Sequence, residues 1–387
     1  MAEPVYVALP LGTTHGWGVC GRYITRELAR LGPVCLVTDR LEAGVVSDEL
    51  ELAALRGLMA PPELQAGRAA DVEAPVLQGV PSPDLAPMRP RLRGRRNVGY
   101  AFFENTALAP SSIETARTHY DVLAAGSSWC SEILREHGLT DVRTVVQGVD
   151  PTVFRPVPGG REFFGDRFVV FSGGKFELRR GQDVVIAAFK VLQERHEDVL
   201  LVTSWFNPSP ASMRSMRASP HIHFDAPVNG VDCRTLIEGV LAANGVDATR
   251  VVHLGPLPNS MMARVYRNSD VGLFASRCEG GTNLVLMEYM ACGRPAIATF
   301  GSGHKDVLTD ENSLPLRQLR QATVRDGEEP PRIWHDAELE DLVEKLEWAY
   351  RNRERLAVIG ARAAQDLTRF TWANTARAFV ELLQPRD

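Results

Sequence analysis

The sequence has little that would tie it to an oxidising compartment, a membrane or a nucleic acid. Its six cysteines, Cys20, Cys35, Cys130, Cys233, Cys278 and Cys292, are scattered without Cys-x-x-Cys spacing. That pattern argues against a disulfide framework or a zinc site and reads as reduced thiols in a cytosolic enzyme. No apolar run reaches the roughly 20 residues needed to cross a bilayer. Met1 to Pro10, with the acidic Glu3, lacks the basic-then-apolar order of a secretory leader, so the expected location is cytoplasmic. A net charge of −5 leaves no general basic face, and no nucleic-acid partner is expected. One local exception is the Pro-rich stretch carrying Arg89, Arg91, Arg93, Arg95 and Arg96. It reads first as a solvated loop, and alternatively as a patch meeting an anionic acceptor or lipid headgroups in a peripheral membrane contact.

What is present is an ordinary globular composition, 44% hydrophobic and 24% charged, in a chain of 387 residues, long enough for two cores. Short aliphatic runs alternate with amphipathic segments throughout, the pattern of parallel sheets covered by helices. In the first half, strands are expected at 5–9, 34–38, 76–77, 98–103, 122–125 and 144–146, with helices at 21–31 and 131–137. A loop with Pro151, Pro156, Pro158, Gly159 and Gly160 suits a domain linker. Beyond it the pattern restarts, with strands at 168–172, 199–203, 251–254, 271–275 and 296–299. Helices are expected there at 182–194, 260–267, 283–291, 337–351 and 353–364. The expected division is 1–157 and 158–370, with a last helical segment, 371–387, lying beyond the second sheet. Segments 47–75 and 207–249 resist assignment.

In open α/β domains ligands sit at the carboxyl ends of the strands, where loops and helix N-termini present unpaired N–H groups. Three such segments stand out in the second half: Ser172-Gly173-Gly174-Lys175 running to Arg180-Gly181, His253-Leu254-Gly255-Pro256, and Arg277-Cys278-Glu279-Gly280-Gly281-Thr282-Asn283-Leu284. The glycine pair in the third lets backbone approach a ligand closely, and Thr282 or Asn283 can cap the next helix. Lys175 and Arg180, alone, would read as a solvated basic pair; together after a strand and a glycine pair they suit a phosphate. Glu288 lies in that helix among Leu286, Met287, Tyr289 and Met290, where a carboxylate needs partners. A pyrophosphate flanked by hydroxyl-bearing rings is the ligand these groups fit.

On these residues the second half resembles the donor domain of family 4 glycosyltransferases. Gly174-Lys175 and Arg180-Gly181 match the family's glycine-basic and basic-glycine pair five positions apart, with the two basic types exchanged. Glu288-Tyr289-Met290-Ala291-Cys292-Gly293-Arg294-Pro295 matches its helix ending in Ala-x-Gly-x-Pro. The resemblance implies a GT-B fold, two Rossmann-like doubly wound α/β domains facing each other across a cleft. It also implies retaining transfer of a hexose-type sugar from a UDP-, GDP- or ADP-sugar to a hydroxyl acceptor: a glycan, a lipid-linked saccharide or a small natural product. By resemblance Glu288 binds the ribose hydroxyls, Glu279 the transferred sugar, the backbone of Thr282 to Leu284 the pyrophosphate, and Pro256 and Leu257 lie against the nucleobase. No cofactor or metal is expected, and the sequence contains no Asp-x-Asp triplet, the metal-holding signature of the other main glycosyltransferase fold. One departure is that eight residues, rather than the family's usual seven, separate Glu279 from Glu288.

The first half matches the family's acceptor domain through the Gly-rich loop Gly16 to Gly21 (Gly16 and Gly18 on the acceptor side), Ser127-Ser128, and Gly148-Val149-Asp150, with Gln147 where Asn is usual. Where the family commonly ends its middle strand in histidine, this chain has Phe102-Phe103-Glu104-Asn105. Glu104 is therefore a candidate to orient the acceptor hydroxyl or accept its proton, or else a surface carboxylate. The catalytic candidates are Lys175, Arg180, Glu279 and Glu104; His304 reads as packing or capping before donor contact. Two other classes stay open. Gly16-Trp17-Gly18-Val19-Cys20-Gly21 satisfies GxGxxG, with Asp39 ending the next strand, which would suit an NAD(P)-dependent oxidoreductase. A catalytically silent sugar-nucleotide binding protein would show the same donor site.

Overall fold

A computed structural model describes residues 3–39, 41, 45–65, 69–81, 83–159, 161–208, 210–225, 230–325 and 331–384; Gly160 of the expected linker lies outside them. Two six-stranded parallel sheets form, one in each half. The first runs β2-β1-β3-β4-β5-β6, from β1 (Val5–Ala8), β2 (Val34–Leu36), β3 (Ala70–Val80), β4 (Leu92–Ala101), β5 (Val122–Ala125) and β6 (Val142–Thr144). The second runs β12-β11-β10-β7-β8-β9, from β7 (Phe168–Gly174), β8 (Val199–Trp205), β9 (Val251–His253), β10 (Val271–Phe274), β11 (Ala296–Thr299) and β12 (Leu314–Leu316). Central strands such as β5 and β10 are buried along their whole length, as continuous aliphatic runs covered on both faces must be.

The order of each sheet decides where a ligand can sit. In the second sheet the winding reverses between β7 and β10, which are neighbours. The crevice outside their carboxyl ends is a topological switch point, lined by the loops that follow those two strands. In the first sheet the reversal falls between β1 and β3, so the loops after β1, β3 and β4 open on the same cleft.

Several expectations are corrected. The arginine-rich stretch is only in part a loop, because β4 starts at Leu92, and four of its five arginines bond within the chain while Arg91 is exposed. Arg89 pairs with Asp39 at 2.7 Å and Arg95 with Glu3 at 2.7 Å. Arg93 donates to the His119 carbonyl at 3.0 Å and Arg96 to that of Leu382 at 2.5 Å. Residues 16–21 are not a loop but the first turns of the helix Gly16–Leu31. There Gly18 and Gly21 let the helix close on the incoming chain, since a Cβ on Gly18 would meet the Gly12 backbone nitrogen at 2.7 Å and one on Gly21 would strike the Pro10 carbonyl. Segment 47–75 holds the helix Glu49–Arg56, capped by Asp48, and the start of β3; segment 207–249 holds the helix Cys233–Ala243, capped by Asp232. An unforeseen antiparallel hairpin, β13 (Leu319–Val324) with β14 (Arg332–Ala337), stands apart from both sheets.

The terminal helix, Trp372–Leu383, packs on the first half, with Trp372 stacked on Tyr23 at 5.3 Å and Phe379 edge-on to Tyr100 at 4.9 Å. Gly148 makes this possible: any Cβ there would collide with the Trp372 backbone nitrogen. Val149 then donates its N–H to the Phe370 carbonyl at 2.9 Å. The apolar core accordingly runs from the first sheet through this helix into the helix carrying Glu288.

Candidate functional site

A cleft of about 480 Å³ opens between the two halves at both switch points. Its walls include Gly174, Lys175, Arg180, Pro256, Leu257, Glu279, Gly281, Asn283, Leu284 and Glu288 from the second half, and Gly16 and Glu104 from the first. Gly280, Thr282 and Gly18, also expected at the site, do not reach the wall. Thr282 is fully buried, its hydroxyl 2.8 Å from Met287 Sδ. Gly280 gives close approach not to a ligand but to the other half, because a Cβ there would run into the Phe103 carbonyl oxygen. Its own carbonyl accepts from Ser127 Oγ at 2.7 Å and Cys130 Sγ at 3.0 Å. The loop is thus wedged between the sheets.

After β7 the chain turns at Gly174, φ 119°, and ends a short 3-10 turn, Leu178–Arg180, at Gly181, φ 71°. A Cβ on Gly181 would strike the Ala275 carbonyl, which locks this turn against the loop after β10. Arg277 fastens the pair from behind. Its N–H donates to the Arg179 carbonyl at 2.7 Å, and its guanidinium holds Asp183 through two bonds of 2.8 Å and faces Asp336 of β14 at 2.9 Å. This buried bidentate pair fixes the geometry of the charged groups in front of it.

Those groups form an alternating cluster. Arg180 pairs with the buried Glu279. Arg179, which sequence reasoning missed, reaches Glu177 at 2.7 Å, Glu104 at 3.2 Å and Glu279 at 3.3 Å. Burial would raise the Glu279 carboxyl, but Arg180 and Arg179 outweigh it and hold it below the ordinary range. The same balance lowers Glu177. Arg179 was hidden because Arg179-Arg180 is a doublet, and only the turn geometry shows that both side chains face acids.

Asn283 caps the helix Leu284–Ala291 from φ 61°, its Oδ1 accepting from the Leu286 N–H at 3.4 Å. Its Nδ2 donates to Glu279 Oε1 at 3.2 Å and to His304 Nε2 at 3.2 Å. His304 Nδ1 faces the Thr299 carbonyl at 3.1 Å, which makes Nδ1 the protonated nitrogen and Nε2 the acceptor. Burial keeps this imidazole below its usual pKa. His304 packs behind the loop and orients Asn283; it caps no helix.

At the other end of the cleft Glu288 is buried, accepting from Asn259 Nδ2 at 2.6 Å and from the Tyr266 hydroxyl at 3.3 Å. Burial pushes its carboxyl up to about 8 despite those bonds. The first half contributes Trp17 and Phe102, edge to face at 4.6 Å, with Pro81, Gln147 and His15. Trp334 of the hairpin pins the loop after β4 by donating to the Glu104 carbonyl at 2.9 Å. Among the described residues, no group of three or more His, Cys, Asp or Glu side chains is placed to hold a metal ion, and no helix is long and apolar enough to cross a membrane.

Residues 167–323 match the family model described as glycosyl transferases group 1. The chain is 27% identical over 303 residues to the D-inositol 3-phosphate glycosyltransferase of Xylanimonas cellulosilytica, covering 72% of this chain and 63% of that protein. It is 28% identical over 250 residues to that of Thermobispora bispora, covering 62% and 50%. The chain thus spans one half to just under two thirds of the length of these curated relatives. Among solved structures it resembles the sucrose-phosphate synthase of Thermosynechococcus elongatus, with TM-score 0.67, 16% identity and 98% of each chain covered. It also resembles Anabaena HepE in complex with UDP and glucose, with TM-score 0.64, 13% identity and 99% of each chain covered. These likenesses show the fold, which is the two-domain GT-B arrangement.

Proposed function

We propose that this chain, whose residues 167–323 match the group 1 glycosyl transferases, is a glycosyltransferase that moves a hexose-type sugar from a nucleoside-diphosphate sugar to a hydroxyl acceptor with retention at the anomeric carbon. The observation that carries this reading is the convergence, at one switch point, of Lys175, Arg180, Glu279 and the capped helix N-terminus at Asn283, with Glu288 at the far end of the same cleft. The complexes of HepE with UDP and with UDP-glucose support the same donor class.

In this reading the pyrophosphate lies at the N-terminus of the helix Leu284–Ala291, where unpaired N–H groups favour negative charge. As the bond from the anomeric carbon to the diphosphate oxygen breaks, negative charge grows on the leaving phosphate. Lys175 and Arg180 stabilise it without a divalent metal. Glu279 orients the sugar hydroxyls and Glu288 the ribose hydroxyls, while Pro256 and Leu257 line the base. The acceptor oxygen then bonds to the anomeric carbon from the same face, and its proton passes to the departing phosphate oxygen. Glu104, on the opposite wall, orients the acceptor hydroxyl.

The test is to supply UDP-, GDP- and ADP-glucose with a panel of hydroxyl acceptors, follow diphosphate release, and read the anomeric configuration of the product by NMR. One donor is expected to be used, giving an α-linked product. An inverted product would refute retention, and nicotinamide-dependent turnover instead of diphosphate release would refute the transfer itself.

A further inference from the structure

The hairpin of β13 and β14 joins neither six-stranded sheet, yet β14 bonds to both halves of the molecule. Alternate backbone N–H groups of a strand at the edge of a sheet are left bare unless something covers them. Here that of Ile333 donates to Thr106 Oγ1 in the first half at 3.0 Å, and that of His335 to the Arg277 carbonyl in the second at 3.1 Å. The side chains repeat the division: Trp334 Nε1 donates to the Glu104 carbonyl at 2.9 Å, and Asp336 faces Arg277 Nε at 2.9 Å. A step of two residues, about 6.6 Å of strand, thus carries β14 from one half to the other.

These contacts close a circuit around Glu104. Its carbonyl is held by Trp334 and its carboxylate by Arg179 at 3.2 Å. The Arg179 carbonyl accepts the N–H of Arg277 at 2.7 Å, and Arg277 faces Asp336, two residues from Trp334. Trp334 is 5% exposed, so its indole N–H would be buried without an acceptor if the loop after β4 moved away. Glu104 itself lines the cleft, so the group fixed in this way borders the ligand space. The halves have other links on this side, since Ser127 Oγ donates to the Gly280 carbonyl at 2.7 Å and the Ser128 N–H to Asp306 at 2.8 Å. Losing the Trp334 bond therefore frees the loop without parting the halves.

Resting on the glycosyltransferase reading, we propose that the hairpin is a strap between the two halves and that Trp334 is a positioning residue, holding Glu104 where it meets the acceptor hydroxyl. Lys175 and Glu288 take no part in the circuit, so the strap governs use of the acceptor and not affinity for the donor.

The test uses the full chain and two variants: Trp334→Phe, which keeps a ring and removes the N–H, and Thr106→Val, which removes the neighbouring bond. Solvent exchange of the Trp334 indole N–H, followed by NMR and assigned by the indole signal that Trp334→Phe loses, comes first and needs no substrate. It should run at least about tenfold slower than at an exposed indole and speed up in Thr106→Val. Exchange at the exposed rate, or indifference to Thr106→Val, overturns the strap. Binding of UDP, GDP and ADP is measured next; failure of all three defeats the transferase reading and leaves the exchange result standing. With the glucose donor of the diphosphate that binds, and glucose, myo-inositol and glycerol as acceptors, Trp334→Phe should lower kcat/KM for the acceptor about three- to tenfold and keep donor affinity within about twofold. In a Glu104→Ala background the same change should cost less than about twofold. Equal losses with and without the Glu104 side chain, an unchanged kcat/KM, or donor affinity falling in step would leave Trp334 only a packing role and overturn the proposal.

Discussion

Donor affinity should rise with pH through the physiological range, and Glu288 should be the cause. Its carboxyl is pushed up to about 8 from an ordinary 4.5 by burial, with Asn259 and Tyr266 donating to it and Arg22 and Asp150 acting from nearby. In the free protein at pH 7 it is therefore about nine-tenths protonated. If two ribose hydroxyls bind the ionised form, binding at pH 7 expels close to one proton, and affinity climbs about tenfold per pH unit until the carboxyl is ionised beforehand. Between pH 6 and pH 8 the expected gain is about 50-fold. The probe is a nucleotide-sugar, because its pyrophosphate diester keeps one charge state across this range. Titration calorimetry in two buffers of different ionisation heat counts the protons directly. Glu288→Gln should bind more weakly at pH 8 and show a flat profile. A flat profile in the native protein, or the same slope in the variant, would refute the reasoning. The stability sign runs the same way. A raised folded pKa favours the native state fully below the unfolded value and loses that contribution as pH rises towards 8, so Glu288→Gln should gain thermal stability relative to the native protein as pH goes from 5 to 8.

Three further outcomes are expected. Glu279→Gln leaves Arg180 and Arg179 partly uncompensated and should cost about 2–3 kcal/mol, read as a lower midpoint in thermal or denaturant unfolding; a loss under about 0.5 kcal/mol would show the cluster to be solvent-screened. Because Arg180 and Arg179 hold the Glu279 pKa down, its contribution is present above the ordinary carboxylate range and vanishes as pH falls through the lowered value. The native protein and Glu279→Gln should therefore converge in stability in acid, and a constant difference would contradict the pairing. Trp372→Ala removes a buried ring stacked on Tyr23 and should cost about 3–5 kcal/mol, with protease cleavage appearing at the terminal helix. Undiminished stability would mean that this helix does not anchor to the first half.

The alternating architecture was legible because buried parallel strands must be continuous aliphatic runs; β5 and β11 fall on their expected residues, and the helix Trp372–Leu383 lies within the expected last segment. The arginine-rich stretch misled because its charges look solvated in sequence, although acids and carbonyls distant in the chain receive four of its five arginines. The helix Pro110–His119 escaped notice because it has few apolar positions and begins at a proline. The strands β13 and β14 show no regular alternation of buried and exposed residues and join neither six-stranded sheet, so they leave little periodic signal. At the site, Lys175, Arg180, Glu279 and Glu288 could be named from motif spacing. Arg179, Glu177 and Asn259 could not, nor could the role of Arg277, because each acts through a partner brought near by the fold.

The most direct test is titration of UDP, GDP and ADP into the native protein, Glu288→Ala and Lys175→Ala. The account predicts tight binding of one diphosphate, selected by its base and weakened by both substitutions. Binding of NAD(H) with no diphosphate binding, or diphosphate binding indifferent to both substitutions, would contradict it.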